Sequence, residues 1–209
     1  VAHFGSLLKG KELIDLAKKS GADAVKFQSY ITEELIDKKY KKWFKRYKIK
    51  EVNYNFLKKL KDYSKKKKID FLCTPHSETA LSWVNKLKVP IIKVGSGELG
   101  NFEFLKKIIK LKKPIIVSTG MHDLNDLKKL LSFFQINNYN KVSFLRCITR
   151  YPTKNNEVNL SSFKQFRKIF KKYEVGYSDH SDNDLGILGS IVLGAKIIEK
   201  HIATKFNVP

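Results

Sequence analysis

The sequence predicts an α/β protein, a (β/α)8 barrel of the TIM type, from three observations. From Gly21 onward, short apolar runs rich in β-forming residues alternate with longer segments of helical period, which is typical of parallel βα units. Seven such runs are present, and Val1, Ala2 and His3 resemble the end of an eighth. No glycine-rich dinucleotide-binding loop follows the first run, which disfavours an open doubly wound sheet. We expect one closed barrel.

The predicted strands and helices alternate along the chain. The strands are expected at 24–27, 70–73, 91–94, 115–118, 142–146, 175–177 and 195–198. The helices are expected at 7–19, 56–66, 78–87, 102–111, 124–133, 161–171 and 184–193. Apolar residues such as Leu57 and Leu60 recur at helical spacing, so the helices should pack outside the sheet. The segment 31–55 is longer than an ordinary βα connection and predicts a lid or an extra helix, with the aromatic residues Trp43, Phe44 and Tyr47 packed inside.

The 209 residues are expected to form a single TIM-barrel catalytic domain over 1–209, truncated at both ends. The first strand and the last helix would then be incomplete. Cys73 and Cys147 lie inside apolar segments, which favours a reducing, cytoplasmic setting over a disulfide-stabilised secreted domain. No signal peptide and no apolar run long enough for a membrane span is present, so no membrane partner is expected.

The formal net charge of +22 raises the question of nucleic-acid binding. The excess is almost all lysine, and the arginines are Arg46, Arg146, Arg150 and Arg167. The lysine runs close amphipathic helical stretches, where they solvate the exposed face and suit the negative end of the helix dipole. We therefore expect no nucleic-acid partner, although a barrel that binds polyanions remains an alternative.

Polar residues concentrate at the predicted carboxyl ends of the strands, where barrels of this type build their active sites. They are Lys26, Gln28, Thr74, Lys93, Ser96, Glu98, Ser118, Thr119, Thr149, Tyr151, Ser178, His180, Lys200 and His201. Lysines and small hydroxyl residues beside glycines suit a phosphate or a carboxylate. His180 and His201 end successive strands and form a candidate metal site or a pair of structural or proton-carrying histidines. Lys26 or Lys93 alone could instead form a Schiff base, as in barrel aldolases.

Six motifs occur in order at these positions. They are Gly21-Ala-Asp-Ala-Val-Lys-Phe-Gln28, Phe71-Leu-Cys-Thr-Pro75, Lys93-Val-Gly-Ser-Gly-Glu98, Val117-Ser-Thr-Gly-Met121, Gly176-Tyr-Ser-Asp-His180 and Ile198-Glu-Lys-His201. As a set they resemble the N-acetylneuraminate (sialic acid) synthase family, which includes legionaminic and pseudaminic acid synthases. The resemblance runs from Val1 to the end of the chain.

The resemblance implies a transferase of carbohydrate biosynthesis that condenses phosphoenolpyruvate with an N-acetylmannosamine-type amino sugar, releasing phosphate. C3 of phosphoenolpyruvate attacks the open-chain aldehyde of the sugar, and the phosphate leaves by carbon–oxygen cleavage. A divalent metal, with manganese expected and magnesium or cobalt as alternatives, polarises the aldehyde. Family members form homodimers and carry a C-terminal antifreeze-like domain, which we expect to be absent from this chain. A truncated inactive barrel is the alternative.

The family's site residues carry over by position. The metal ligands correspond to His180 and His201. The phosphoenolpyruvate contacts correspond to Lys26, Thr74, Lys93, Ser96, Ser118 and Ser178, and the sugar-side contacts to Gln28, Glu98 and Tyr151. We expect Glu98, Lys93 and His180 to be catalytic. The motif Cys147-Ile-Thr-Arg-Tyr-Pro152 departs from the family pattern of Cys-Thr-Ser or Cys-Thr-Asn before Tyr-Pro, so Thr149 would replace a serine or amide contact to substrate.

Overall fold

The computed structural model describes residues 2–204 and shows an α/β fold with seven parallel strands. The strands are β1 (Ala24–Ser29), β2 (Asp70–Pro75), β3 (Ile92–Val94), β4 (Ile115–Ser118), β5 (Val142–Cys147), β6 (Glu174–Asp179) and β7 (Ile197–Lys200). The helices are α1 (Leu7–Lys19), α2 (Thr32–Leu35), α3 (Lys41–Lys48), α4 (Tyr54–Lys66), α5 (Glu78–Lys86), α6 (Phe102–Ile109), α7 (Leu124–Ile136), α8 (Leu160–Ile169) and α9 (Leu185–Val192). Short 3-10 helices lie at Ser96–Glu98 and Asn155–Glu157.

The chain divides into two compact units, with the division inside β3 after Lys93. The first unit contains β1 and β2, which pair in parallel from Ala24 opposite Asp70 to Ser29 opposite Pro75. The second unit, Val94–His201, contains β4 to β7, which pair in parallel in chain order. The alternation of strands and helices is confirmed. The eighth strand, the closed barrel and the single-domain organisation stay predictions.

Local sequence signals set where most helices begin. Ser6, Asn53 and Ser77 each accept a hydrogen bond from a backbone amide three residues later, at the starts of α1, α4 and α5. Asp123 and Asp126 form a reciprocal capping box at the start of α7. These caps satisfy amide groups that the first helical turn leaves without partners.

Each unit has its own apolar core. In the first unit, Ile14 on α1 packs in the same buried layer as Leu57 and Leu60 on α4, and all three are fully buried. In the second unit, Phe144 on β5 stacks on Phe170 at a centroid distance of 4.1 Å. Aromatic burial of this kind dominates core energetics, because each ring removes a large apolar area from water. Within each unit, helices pack against the strands, as their apolar spacing predicts.

Two sequence predictions near the amino terminus are wrong. Ala2 and His3 do not end a strand but lie in a turn, because the amide of Ser6 donates to the carbonyl of His3 and both Phe4 and Gly5 have positive φ. Val1 lies outside the described residues.

The segment 31–55 does form extra helices, α2 and α3, but Trp43 is 53% exposed. The Arg46 guanidinium lies 5.5 Å from the centroid of the Trp43 ring. Helix α3 packs through Tyr47, whose ring contacts that of Tyr30.

Strand β7 begins two residues later than predicted. Ala195 is not in the strand, since its amide donates to the carbonyl of Ser190 and closes the turn after α9. Gly194 supports this turn with a φ of 91°. The shift brings Lys200 into the strand, directly before His201. None of the helices described within residues 2–204 has the length and apolar character needed to cross a membrane.

Candidate active site

The first unit carries four of the predicted site residues at the carboxyl ends of its strands. Lys26 and Gln28 are two residues apart in β1 and so lie on the same face of the strand, and Gln28 lies opposite Thr74 of β2. Lys93 on β3 is among the largest fully buried side chains, with 2% of its surface exposed. Lysine is seldom buried to this extent, so its position indicates a specific role for the ammonium group.

The hydroxyl of Thr74 is buried without a hydrogen-bond partner among the described residues. Thr74 itself is only 1% exposed. A buried polar atom left unsatisfied costs about 1–3 kcal/mol, and such atoms need an explanation when they occur at a strand end. A bound anion accepting from this hydroxyl would remove that cost.

In the second unit, Gly120 contacts two side chains of the predicted site, Ser96 and Thr149. Its amide donates to Ser96 Oγ at 2.8 Å, and its carbonyl accepts from Thr149 Oγ1 at 3.4 Å. A Cβ added at Gly120 would lie 2.9 Å from Thr149 Cγ2 and 3.1 Å from Cys147 Sγ. The absence of a side chain at this position therefore allows Ser96 and Thr149 to approach the same backbone.

Glu98 closes the 3-10 helix that begins at Ser96. Its Oε2 accepts a hydrogen bond of 2.8 Å from Asn101 Nδ2, and Asn101 also caps α6. The carboxylate is half-buried and is oriented by the helix that follows it. Ser118, at the end of β4, is 4% exposed.

One face of the β6–β7 pair presents four site residues in register. Ser178 lies opposite Glu199, and its hydroxyl donates to Glu199 Oε1 at 2.9 Å. His180 and His201 directly follow the ends of the two strands, two positions beyond Ser178 and Glu199. Their ring centroids are 5.0 Å apart. The convergence of these histidines, inferred from topology alone, is therefore present in the structure.

The surroundings of His180 fix its tautomer. Nδ1 lies 2.6 Å from the carbonyl oxygen of Ile148, and a carbonyl can only accept a hydrogen bond. Nδ1 therefore carries a proton and donates it to this carbonyl. Tyr151 stacks on the ring at a centroid distance of 4.0 Å and its hydroxyl lies 3.0 Å from Nε2.

The histidine pair fits a divalent metal with an open coordination sphere. A carbonyl bonded to one imidazole nitrogen is the usual support of a metal-binding histidine, because it orients the ring and leaves the other nitrogen as ligand. Within residues 2–204 no group of three or more histidine, cysteine or acidic side chains is arranged to hold a metal. His180 and His201 would thus supply two ligands and leave the other positions to water or substrate.

Sequence reasoning did not identify Asp179, Glu199 or the Ile148 carbonyl, and it placed Lys200 among the strand-end polar residues without giving it a role. Asp179 and Lys200 form an ion pair directly before His180 and His201. Glu199 contacts Ser178, and the Ile148 carbonyl contacts His180. Asp179, Glu199 and Lys200 all belong to the motifs identified in the sequence, but their roles depend on the strand register. The carbonyl has no sequence signal, since every residue has one.

Comparison with known proteins decides the family. The model of the NeuB family matches residues 13–209. The chain belongs to the NeuB family. The family predicted from the sequence motifs is thereby confirmed.

Several NeuB relatives are synthases. The chain is 37% identical to the N,N'-diacetyllegionaminic acid synthase of Campylobacter jejuni, over all of this chain and 66% of that protein. It is 31% identical to human N-acetylneuraminate-9-phosphate synthase, over 96% of this chain and 59% of that protein. The chain thus spans about three fifths to two thirds of the length of these relatives.

The fold also matches a solved NeuB-type structure. The N-acetylneuraminic acid synthetase of Leptospira borgpetersenii, in complex with citrate, superimposes with a TM-score of 0.91. The two are 29% identical, and the match covers 97% of this chain and 70% of that one. Relatives and a solved structure of this family are thus named as sialic or related nonulosonic acid synthases.

Proposed function

We propose that the protein condenses phosphoenolpyruvate with an N-acetylmannosamine-type amino sugar, giving a sialic-acid-like product and phosphate for surface polysaccharide synthesis. The observation that carries the proposal is the pair His180 and His201, with Nδ1 of His180 engaged by the Ile148 carbonyl. Nε2 of His180, which lies 3.0 Å from the Tyr151 hydroxyl, would be the metal-binding nitrogen of the neutral imidazole. NeuB relatives named as nonulosonic acid synthases support the same reaction class.

In this proposal the basic and hydroxyl side chains bind phosphoenolpyruvate. The residues are Lys26, Thr74, Lys93, Ser96, Ser118 and Ser178. Thr74 supports the assignment because its buried hydroxyl has no protein partner among the described residues. Lys93 supports it because a buried ammonium group stabilises a bound carboxylate or phosphate more strongly than an exposed one does.

The remaining residues act on the sugar. The divalent ion, with manganese expected, would polarise the aldehyde oxygen as a Lewis acid while His180 and His201 hold it. Glu98, oriented by Asn101, would hold sugar hydroxyls or transfer a proton. Gln28, Thr149 and Tyr151 would contact the sugar. We further propose a cytoplasmic homodimer built on a closed (β/α)8 barrel.

The test is phosphate release from phosphoenolpyruvate in the presence of manganese. Because the relatives are longer than this chain, the assay uses the chain with any flanking coding sequence. The sugar panel includes N-acetylmannosamine and 2,4-diacetamido-trideoxy sugars. We expect release with one sugar, and loss of release with EDTA or with His180→Ala. A folded protein that binds manganese but releases no phosphate with any sugar would contradict the proposal.

The burial of Lys93 also favours a second candidate, a lysine-dependent aldolase, because a buried lysine on a strand can form a Schiff base with a carbonyl substrate. Borohydride with a carbonyl substrate separates the two. Covalent trapping lost in Lys93→Met, with activity unaffected by EDTA, would support the aldolase. A protein that shows neither reaction but binds polyanions in a salt-sensitive manner would be the inactive barrel.

A further inference from the structure

The ion pair between Asp179 and Lys200 occupies the position directly before the two histidines. Asp179 on β6 lies opposite Lys200 on β7 in the strand register, one residue ahead of His180 and His201 respectively. Successive strand residues point to opposite faces, so the ion pair lies behind the face that presents the histidines. Asp179 is fully buried, whereas the Lys200 side chain is 33% exposed.

The bonds around this ion pair tie β7 to the loop that follows His180. Lys200 Nζ contacts Asp179 Oδ2 and donates to the carbonyls of Ser181 and Asn183, each at 2.8 Å. Ser181 Oγ contacts both carboxylate oxygens of Asp179 at 3.0 and 2.8 Å. The buried carboxylate is thus fully engaged, which is the condition under which a buried charge is tolerated.

We propose that Asp179 and Lys200 are a positioning pair that sets the spacing of His180 and His201 and thereby the affinity of the metal site. This inference rests on the proposed function, since it assumes that the two histidines bind the metal. Lys200 restrains the chain on both sides of His180, because its ammonium group contacts the side-chain carboxylate of Asp179 before it and the backbone carbonyls of Ser181 and Asn183 after it. His201 follows Lys200 directly and shares the same restraint.

The pair is distinct from a general stabiliser because its bonds converge on the two histidine-bearing segments. Groups that orient metal ligands from outside the coordination sphere typically change metal affinity by 10- to 100-fold when they are removed. Loss of the pair should therefore weaken manganese binding by that factor in a protein that still folds. A merely structural pair would lower the unfolding temperature and leave the dissociation constant unchanged.

The experiment measures the manganese dissociation constant by electron paramagnetic resonance of free Mn²⁺. The variants are Lys200→Met, Asp179→Asn and the double variant. The double variant is included because a single change could prevent folding by leaving one buried charge without its partner, whereas the double change removes both charges. Arg167→Met is the matched control, because Arg167 also donates to a backbone carbonyl, that of Leu193, but near the amino-terminal end of β7 and away from the histidines. Lys200→Arg keeps the cation and tests rescue. Thermal unfolding of each variant is followed by circular dichroism.

We expect 10- to 100-fold weaker manganese binding in the Lys200, Asp179 or double variants, a constant within twofold of the wild type in Arg167→Met, and partial recovery in Lys200→Arg. Unchanged affinity in folded Lys200→Met and Asp179→Asn would overturn the inference, as would an equal loss in Arg167→Met. Failure of the proposed function is separately visible, because then wild-type protein and His180→Ala would bind manganese equally or not at all.

Discussion

Ser178 donates a hydrogen bond of 2.9 Å to Glu199 across the β6–β7 pair, on the face that carries both histidines. The same pairing of a serine and a glutamate occurs at the amino-terminal end of β6, where Ser143 lies opposite Glu174 with a distance of 3.5 Å between Oγ and Oε2. The structure therefore contains two serine–glutamate pairs on neighbouring strands, and Ser178 is the predicted substrate contact.

Replacing Ser178 with alanine should raise the KM for phosphoenolpyruvate about tenfold, because the single hydroxyl hydrogen now donated to Glu199 would turn to the anionic substrate, and a hydrogen bond to a charged group contributes about 1.5–3 kcal/mol. Ser143→Ala removes the same hydroxyl at the other end of the sheet and should leave this KM within twofold of the wild-type value. Steady-state phosphate release measures both. Equal effects of the two changes would argue against a substrate role for Ser178.

Gly120→Ala should lower both stability and substrate binding. The added Cβ would meet Thr149 Cγ2 at 2.9 Å and Ser96 Oγ at 3.1 Å, and forcing such contacts apart costs about 1–3 kcal/mol. Gly97→Ala is the control, because no atom lies within 4 Å of a Cβ at that position. Urea unfolding and the KM for phosphoenolpyruvate measure the effect. A Gly120→Ala protein as stable and active as Gly97→Ala would show that this close approach is unimportant.

His3 should make the protein less stable as the pH falls below neutrality. Burial lowers its pKa from 6.5 to about 4, with a further contribution from Lys50. The unfolded chain therefore binds a proton between these values that the folded protein does not, so stability is complete above pH 6.5 and is lost towards pH 4. The expected loss is about 3 kcal/mol.

The measurement for His3 compares urea unfolding at pH 7 and pH 4.5 in the wild type and in His3→Asn. Asparagine does not titrate and its Oδ1 can accept the amide hydrogen bond that Gly5 gives to His3 Nδ1. The variant should lose less stability on acidification than the wild type. Parallel losses would mean that His3 is not the titrating group.

Cys73 should resist thiol reagents in the folded protein. It is fully buried, and burial raises its pKa to about 11, so almost no thiolate exists at pH 8. Ellman's reagent on a Cys147→Ser variant reports Cys73 alone. We expect reaction only after urea is added, and rapid reaction of the native variant would show that this part of β2 opens readily.

The sequence predicted the elements with strong local signals. Helix α1 has the predicted bounds because Ser6 caps it and the turn at Gly21 follows its end. Strand β4 also has the predicted bounds. The position of β7 and the exposure of Trp43 were not predictable in this way, because both depend on how a turn or a helix packs against the rest of its unit.

The candidate site likewise contains residues that the sequence predicted and contacts that it could not predict. Motifs and strand ends identified His180, His201 and Ser178, because residue type and position along the chain suffice for that. The Asp179–Lys200 ion pair and the contact of Ile148 with His180 depend on register and backbone geometry. A single sequence contains no direct record of either, and this explains why these supporting groups were missed.

The reaction itself is tested most directly with phosphoenolpyruvate labelled with ¹⁸O at the oxygen that bridges carbon and phosphorus. The protein is incubated with manganese and the accepted amino sugar, and the released phosphate is analysed by mass spectrometry. Carbon–oxygen cleavage, as proposed, transfers the label to phosphate and depends on the sugar. Unlabelled phosphate, or release that does not require the sugar, would contradict a synthase of this type and indicate simple phosphoryl hydrolysis.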